Sequence, residues 1–384
     1  MMYHQLSTKN KFLIIGFILL LLTSLWPNNI YILVLFSFST YIILPINKWW
    51  DTTALLLFVF SLLYSAILLM TDQVLSNFIL IAYAIAPVAF YRLGRWLLAT
   101  FRDEEQRQRM LLLIVSLFLL PLFILMVKDI AVVGIINVSR AMTGSISSEE
   151  AMSATYYGLL SSIGIGCLPA IFSNRQKIQL RFAYVVVSLL SILVVIHLVN
   201  RTGLVIAFVI LIISIMYITK MRLNKMIKVF FLLLVVALLM YQLGIINDDI
   251  FVAYQSRENN ASFETKDLGG RLQLWTNALN KMFTNPFGWQ QESYAHNFLL
   301  DTARACGWLP FIVLSIATLG WLKYLLKLLK KVNTPFILFI VSINMSMLMS
   351  VMVEPVLDCS ILYFSIFMLF WGITRGLSTE KTFN

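Results

Sequence analysis

Charge is scarce in this chain. Of its 384 residues only 12% are Asp, Glu, Lys or Arg, against 60% hydrophobic ones. A soluble protein of this length keeps roughly a quarter of its residues charged. A soluble globular protein is therefore excluded, and the solvent for most of the chain is lipid. Cysteine is scarce as well. Cys167, Cys306 and Cys359 form no Cys-x-x-Cys pair and no metal-like cluster with His4, His197 and His296. They read as unpaired structural residues, and no metal site or cofactor is expected. No P-loop and no Gly-x-Gly-x-x-Gly pattern is present, so nucleotide hydrolysis is not implied. No repeat period and no inverted pair of halves stands out. The first apolar run, Phe12 to Trp26, follows Lys9 and Lys11 but is not followed by a small-residue cleavage site, and reads as a first membrane helix.

Long apolar runs are what the chain does have. A hydrocarbon core of about 30 Å needs roughly 20 apolar residues per helix, or about 17 at the short end. About twelve stretches qualify, near 12–27, 31–46, 53–70, 74–91, 110–127, 152–172, 182–199, 203–219, 229–246, 307–323, 335–353 and 359–375. The expected fold class is an all-α polytopic membrane protein with both termini in the cytoplasm. Alternating from a cytoplasmic N-terminus makes every inner loop basic. Of the 29 Lys and Arg, only Lys128, Arg140, Arg201, Arg257, Lys266, Arg271, Lys281 and Arg304 fall outside. That is the positive-inside pattern. The net charge of +11 is thus a topology signal and calls for no nucleic-acid partner. The chain divides into nine helices over 1–246, a large outer loop over 247–306, and three helices with a tail over 307–384.

A loop that long is more than a connector. Within it Leu272, Trp275, Leu279 and Met282 recur at helical spacing and predict an amphipathic helix, ended by Asn285-Pro286 and Gly288 and lying along the membrane surface. A second segment starts near Ser293, carries His296-Asn297-Phe298 and runs into Gly307. Arg271 stands at the start of the first helix. It reads either as a cation that holds an anion together with free backbone N–H groups, or as a solvated surface residue. His296 reads either as a group able to take a proton from a hydroxyl at neutral pH, or as an interfacial histidine without a chemical role. Arg201 lies in a short outer turn, Asn200-Arg201-Thr202-Gly203, between two apolar spans. A cation at membrane depth is costly, so it reads either as a partner of a lipid-linked phosphate or as a side chain reaching to headgroups. Arg140 in the loop Asp129–Ala151 is a weaker version of the same case. His197, four residues before Arg201, is expected on the same helix face, and reads first as a hydrogen-bonded core histidine. The outer acids, Asp248, Asp249, Glu258, Glu264, Asp267, Glu292, Asp301, Glu354 and Asp358, form no metal-like pair beside a histidine.

Taken together these residues resemble the O-antigen ligase and O-antigen polymerase superfamily of bacterial envelope enzymes. The resemblance rests on the Arg201-Thr202-Gly203 turn and on Gly270-Arg271-Leu272-Gln273-Leu274-Trp275 with Asn285-Pro286-Phe287-Gly288, similar to that family's GR-x-x-x-W stretch and NP-x-x-G turn. It rests also on His296-Asn297, nine residues, then Gly307. Two positions depart: Gly288 follows Pro286 by only two, and Pro310 stands where the ligase pattern has Gly, Thr or Tyr. The resemblance implies a GT-C-like scaffold in the bacterial inner membrane with short helices in a periplasmic loop. It implies inverting, metal-independent glycosyl transfer from an undecaprenyl-diphosphate-linked glycan. Arg201, Arg271 and Arg140 would bind the diphosphate and His296 would deprotonate the acceptor, with Asn297, Trp275 and His197 in support. The acceptor would be a growing glycan, in a polymerase, or lipid A-core, in a ligase, with Pro310 favouring the polymerase. Membrane lipids and a chain-length regulator are the further partners implied. A reading of another class is a flippase of lipid-linked sugar, which would need polar residues spread through a midplane cavity; the spans here are nearly free of acids.

A reporter fused after Lys266 should read as periplasmic. A cytoplasmic signal there overturns the orientation.

Overall fold

The computed structural model describes residues 7–26, 29–44, 50–71, 75–101, 103–137, 139–143, 151–172, 177–219, 252, 271–289, 294–330, 332 and 334–379. Its helices are α1 (Thr8–Leu22), α2 (Asn29–Ile43), α3 (Thr52–Thr71), α4 (Asn77–Thr100), α5 (Glu104–Val133), α6 (Ala154–Ile165), α7 (Ile178–His197), α8 (Arg201–Thr219), α9 (Arg271–Thr284), α10 (Phe298–Cys306), α11 (Trp308–Leu329), α12 (Pro335–Val351), α13 (Val356–Cys359) and α14 (Ile361–Thr379). Every predicted span but one coincides with a helix; the exception, 229–246, lies outside the described residues, as does most of the loop before Arg271. Among the described residues seven helices are long and apolar enough to cross a membrane. Asn29–Ile43, Arg201–Tyr217 and Pro335–Val351 are equally apolar but shorter. The protein is a multi-pass, helical membrane protein.

Polar side chains start several of these helices. Ser7, Ser76, Asp103 and Thr334 each accept a hydrogen bond from the backbone N–H three residues on, and Pro335 occupies the first turn after Thr334. The helices differ from expectation where charge is absorbed rather than exposed. The span predicted to stop at 91 continues to Thr100, so Arg92 and Arg95 are helical instead of lying in an inner loop. Arg92 is fully buried, donates from Nη2 to the Leu44 carbonyl at 2.7 Å, and lies 5.0 Å from the Tyr41 ring centroid. Arg95 Nη1 and Arg375 Nε both reach Asp51 Oδ2 at 3.1 Å. With Arg95 paired to Asp51 and Arg92 bonded to the Leu44 carbonyl, the helix continues through both. The loop at 129–151 also differs. Asp129 to Val133 is helical, and β1 (Ala141–Thr143) pairs antiparallel with β2 (Ala151–Ser153) in the register Ala141↔Ser153. The all-α expectation holds for the described residues, with this short pair as an addition to it.

The centre of the bundle is α14, buried from Leu362 to Thr374. It lies against α4 with the two backbones touching. A Cβ on Gly94 would stand 2.1 Å from the Leu369 carbonyl oxygen, and one on Gly372 2.0 Å from that of Tyr91. Small residues allow this approach, which membrane helices use in place of a hydrophobic driving force. On another face Trp371 stacks on Trp321 of α11, centroids 4.7 Å apart. Hydroxyls join the remaining helices: Ser162 Oγ and Tyr363 OH are 2.7 Å apart, and Ser346 donates to the Ser162 carbonyl.

Gly94→Ala and Gly372→Ala force the α4 and α14 backbones apart and should destabilise the protein by about 1–3 kcal/mol, the usual cost of overpacking. A lower unfolding temperature in detergent is the readout. Gly320→Ala, with nothing within 4 Å of the added atom, is the control that should leave it unchanged.

Candidate active site

The site begins with the cap of α10. Asn297 Oδ1 accepts from the N–H groups of Leu299 and Leu300 at 3.1 and 3.2 Å and so starts the helix. One turn on, the buried Asp301 carboxylate reaches back over the cap. Its Oδ1 accepts from Ala295 N at 2.7 Å and its Oδ2 from Asn297 N at 2.9 Å. These two amides flank His296, whose φ of 55° is left-handed. A non-glycine residue is strained there and stays only where its surroundings over-determine it. Asp301 supplies that constraint. It fixes the backbone on both sides of His296 and thereby the direction of the imidazole.

The imidazole faces Glu354, between α12 and α13. His296 Nδ1 and Glu354 Oε2 are 3.7 Å apart. Both atoms are shielded from solvent and neither has a hydrogen-bond partner among the described residues. Glu354 is 4% exposed and the His296 side chain 33%, so the outer edge of the ring is open. The other carboxylate oxygen, Oε1, lies 3.4 Å from Arg271 Nη2. Asn297 Nδ2 donates to the Met352 carbonyl at 3.2 Å and ties the same two segments together. One carboxylate thus gathers an arginine from α9 and a histidine from the turn before α10. Arg271 is carried by α9, which is held by Trp275: its indole N–H donates to the Ala295 carbonyl at 2.8 Å. Around that bond Ala278, Ala295 and Leu300 pack with Trp275, Trp289 and Phe311. The opposite side of α9 leaves Leu272, Leu279 and Phe283 exposed, as a helix lying on a lipid surface would.

The turn after α9 closes onto the end of α10. Trp289 N donates to the Arg304 carbonyl at 2.8 Å and Trp308 N to that of Pro286 at 3.3 Å. Gly288 and Gly307 both have positive φ, and a Cβ on Gly307 would stand 1.8 Å from the Pro286 oxygen. The Asn-Pro-x-Gly turn and the distant glycine are therefore two sides of one contact. Beneath it Arg304 Nη2 donates to Asp358 Oδ1 at 2.9 Å, its Nε lies 3.5 Å from Asp301 Oδ1, and its guanidinium stands 4.6 Å over the Tyr294 ring. Burial raises the Asp358 carboxyl to about 6, a rise that Arg304 opposes.

Arg140, His197 and Arg201 form a second group, around the N-terminus of α6. The Arg140 carbonyl accepts from Ala154 N at 2.8 Å, and Asn200 Nδ2 donates to the Ala154 carbonyl at 2.7 Å. Asn200 also caps α8, accepting from Gly203 N at 2.8 Å. His197 and Arg201 do not share a helix face, contrary to expectation. The helix ends at His197, Val199 takes a φ of 51°, and Arg201 opens the next helix. His197 is a buried, hydrogen-bonded histidine: Nδ1 lies 2.8 Å from the Ile135 carbonyl and Nε2 2.8 Å from Asp129 Oδ2. It holds the loop bearing Arg140.

Arg271, Trp275, His296 and Asn297 are thus brought together, and Arg140, His197 and Arg201 stand beside α6. Two residues with positions at the centre escaped the sequence reading of the site, Glu354 and Asp301. Both appeared only as outer acids. The Asn297-x-x-x-Asp301 spacing was a usable signal, since a carboxylate one turn into a helix can reach back to its cap. Among the described residues no group of three His, Cys, Asp or Glu stands close enough to hold a metal ion.

Residues 186–315 match the family model described as O-antigen ligase, a stretch that holds Arg201, Arg271, Trp275, His296, Asn297 and Asp301. A search of curated proteins returns no match.

Asp358 has a testable signature. Its folded-state pKa lies above the ordinary 3.8, so the folded state holds the extra proton and stability falls as pH rises from about 4 to about 6. Asp358→Asn should flatten that part of the unfolding-temperature profile. An unaltered slope would mean that Asp358 titrates normally.

Proposed function

We propose, from the match of residues 186–315 to the family model described as O-antigen ligase, that this chain is a glycosyltransferase acting at the periplasmic face of the bacterial inner membrane. The donor is a glycan on undecaprenyl diphosphate and the acceptor is a sugar hydroxyl. The observation that carries this reading is the shared carboxylate: Glu354 faces His296 Nδ1 at 3.7 Å and Arg271 at 3.4 Å.

The chemistry follows from that geometry. With Nδ1–H directed at Glu354, the lone pair of His296 lies on Nε2, at the open edge of the ring. Closing the 3.7 Å gap to roughly 2.9 Å on substrate binding gives a normal hydrogen bond, as apo sites commonly tighten. The acceptor hydroxyl attacks the anomeric carbon while His296 Nε2 takes its proton. The bond from that carbon to the diphosphate oxygen breaks, and the diphosphate leaves with the electron pair. A single displacement inverts the anomeric configuration. Arg271 and Arg201, with Arg140 near the second, stabilise the charge on the leaving group. Before the donor arrives, Glu354 is the counter-ion of Arg271. A diphosphate competes for that guanidinium and leaves Glu354 to His296, so donor binding and base orientation are linked.

We read the acceptor as the growing glycan, which makes the chain a polymerase, because Pro310 occupies the third position of α11 where the ligase pattern has Gly, Thr or Tyr. The match to an O-antigen ligase family model makes a ligase the second reading. Deleting the gene separates them: loss of a polymerase leaves lipopolysaccharide with a single repeat, while loss of a ligase leaves bare core and accumulated lipid-linked polymer.

His296→Ala and Arg271→Ala should each lower transfer by at least about 100-fold, the scale of a lost general base or charge stabiliser, with membrane expression intact. Arg201→Lys should also impair transfer, since lysine lacks the bidentate fork. Glu354→Gln should lower turnover and alter the acid limb of its pH profile. Glycan of wild-type length in both alanine variants would sink the catalytic assignment. An accumulation of cytoplasm-facing lipid-linked sugar on deletion would support a flippase instead.

A further inference from the structure

Along α9 from Arg271, over the turns that carry Leu274 to Lys281, the loop holds a polar recess that the transfer chemistry does not use. It has a volume of about 40 Å³ and is lined by Leu274, Asn277, Ala278, Lys281, Trp289, Ala295 and Arg304. Its floor is made of two alanines, Ala278 and Ala295, both buried at 4% and 3%. Larger side chains would fill the space. Its walls are fixed by bonds already described: Trp275 Nε1 to the Ala295 carbonyl, and Trp289 N to the Arg304 carbonyl. The rim carries the amide of Asn277 and the ammonium of Lys281 beside the indole of Trp289.

We infer that this recess is a subsite for one pyranose ring of the lipid-linked glycan, lying beyond the diphosphate. The inference rests on the proposed transfer reaction and adds to it where the sugar chain runs. An indole face beside an amide and an ammonium matches a pyranose, which has an apolar C–H face and a rim of hydroxyls. A recess of this size takes the edge of one ring and leaves the rest of the glycan in solvent. Placement agrees. Arg271, Leu274, Ala278 and Lys281 follow one another at spacings of three and four on one side of α9. At a rise of 1.5 Å per residue, Lys281 lies roughly 15 Å along the helix from Arg271, a few pyranose rings in an extended chain. The helix therefore sets a fixed separation between the cation at the diphosphate and the recess at the glycan, and long donors are distinguished from short ones by reaching it.

The test compares two donors with the purified full-length protein: the host's own lipid-linked repeat unit, and the same lipid diphosphate trimmed to its first sugar. Asn277→Ala, at an exposed position, and Ala278→Leu, which fills the floor, are assayed beside the wild type. Each should raise KM for the repeat-unit donor about fivefold, the worth of about one hydrogen bond, at unchanged kcat. Neither should affect the one-sugar donor. An unchanged KM for the long donor in Asn277→Ala, or equal losses with both donors, overturns the subsite. His296→Ala run alongside keeps the two ideas apart. If it transfers both donors like the wild type, the catalytic reading fails, and the donor-length effect of Asn277→Ala still decides the recess.

Discussion

The arrangement of the loop depends on the Asp301 carboxylate. Its two oxygens hold the amides on either side of His296, and without them nothing in the backbone would keep that residue left-handed. The same carboxylate lies beside Arg304, which runs on to Asp358. A buried charge is costly unless it is paired and hydrogen-bonded, and here each member of the chain Asp301–Arg304–Asp358 makes the next one tolerable. The network stands beside His296 and fixes the backbone that supports it. Its charge balance keeps a rigid platform at the edge of an apolar bundle.

Above that platform the electrostatics are left incomplete. Glu354 serves Arg271 through a long contact and His296 through a gap. Neither contact is strong, and both improve only when something else changes. The contrast with Asp301, whose oxygens are fully engaged at short distance, separates the part of the loop that is built to stay from the part that is built to respond.

The sequence made the helices legible because lipid imposes one rule on every span: enough apolar residues to cover the hydrocarbon. It made Arg271, Trp275, His296 and Asn297 legible as a group because they lie within one short stretch with recurring spacing. Glu354 was not legible, since it reaches the site from the end of α12 and only tertiary packing brings it there. Arg92 and Arg95 were placed in a loop because charge normally ends a span; the Leu44 carbonyl and Asp51 that receive them lie in another segment of the chain. The error at His197 and Arg201 has a local cause. Helical spacing carries side chains onto one face only while the helix continues, and it stops at His197. Likewise the strand pair at 141–153 is too short to leave a periodic signal.

The outward row on α9 has a consequence for how the loop meets what it binds. Leu272, Leu279 and Phe283, with Phe287 in the turn after the helix, are 48%, 45%, 82% and 73% exposed, and on a membrane surface they would bury their apolar area in the headgroup region. In the proposed reaction, that placement would seat Arg271 and the recess near Lys281 at a set height above the hydrocarbon. A molecule tethered to the same leaflet arrives at that height already, so its search is a lateral one over a surface, and its effective concentration is set by membrane area instead of solution volume. A soluble sugar diphosphate of identical headgroup chemistry has no such advantage, and discrimination between the two needs no contact with the lipid tail.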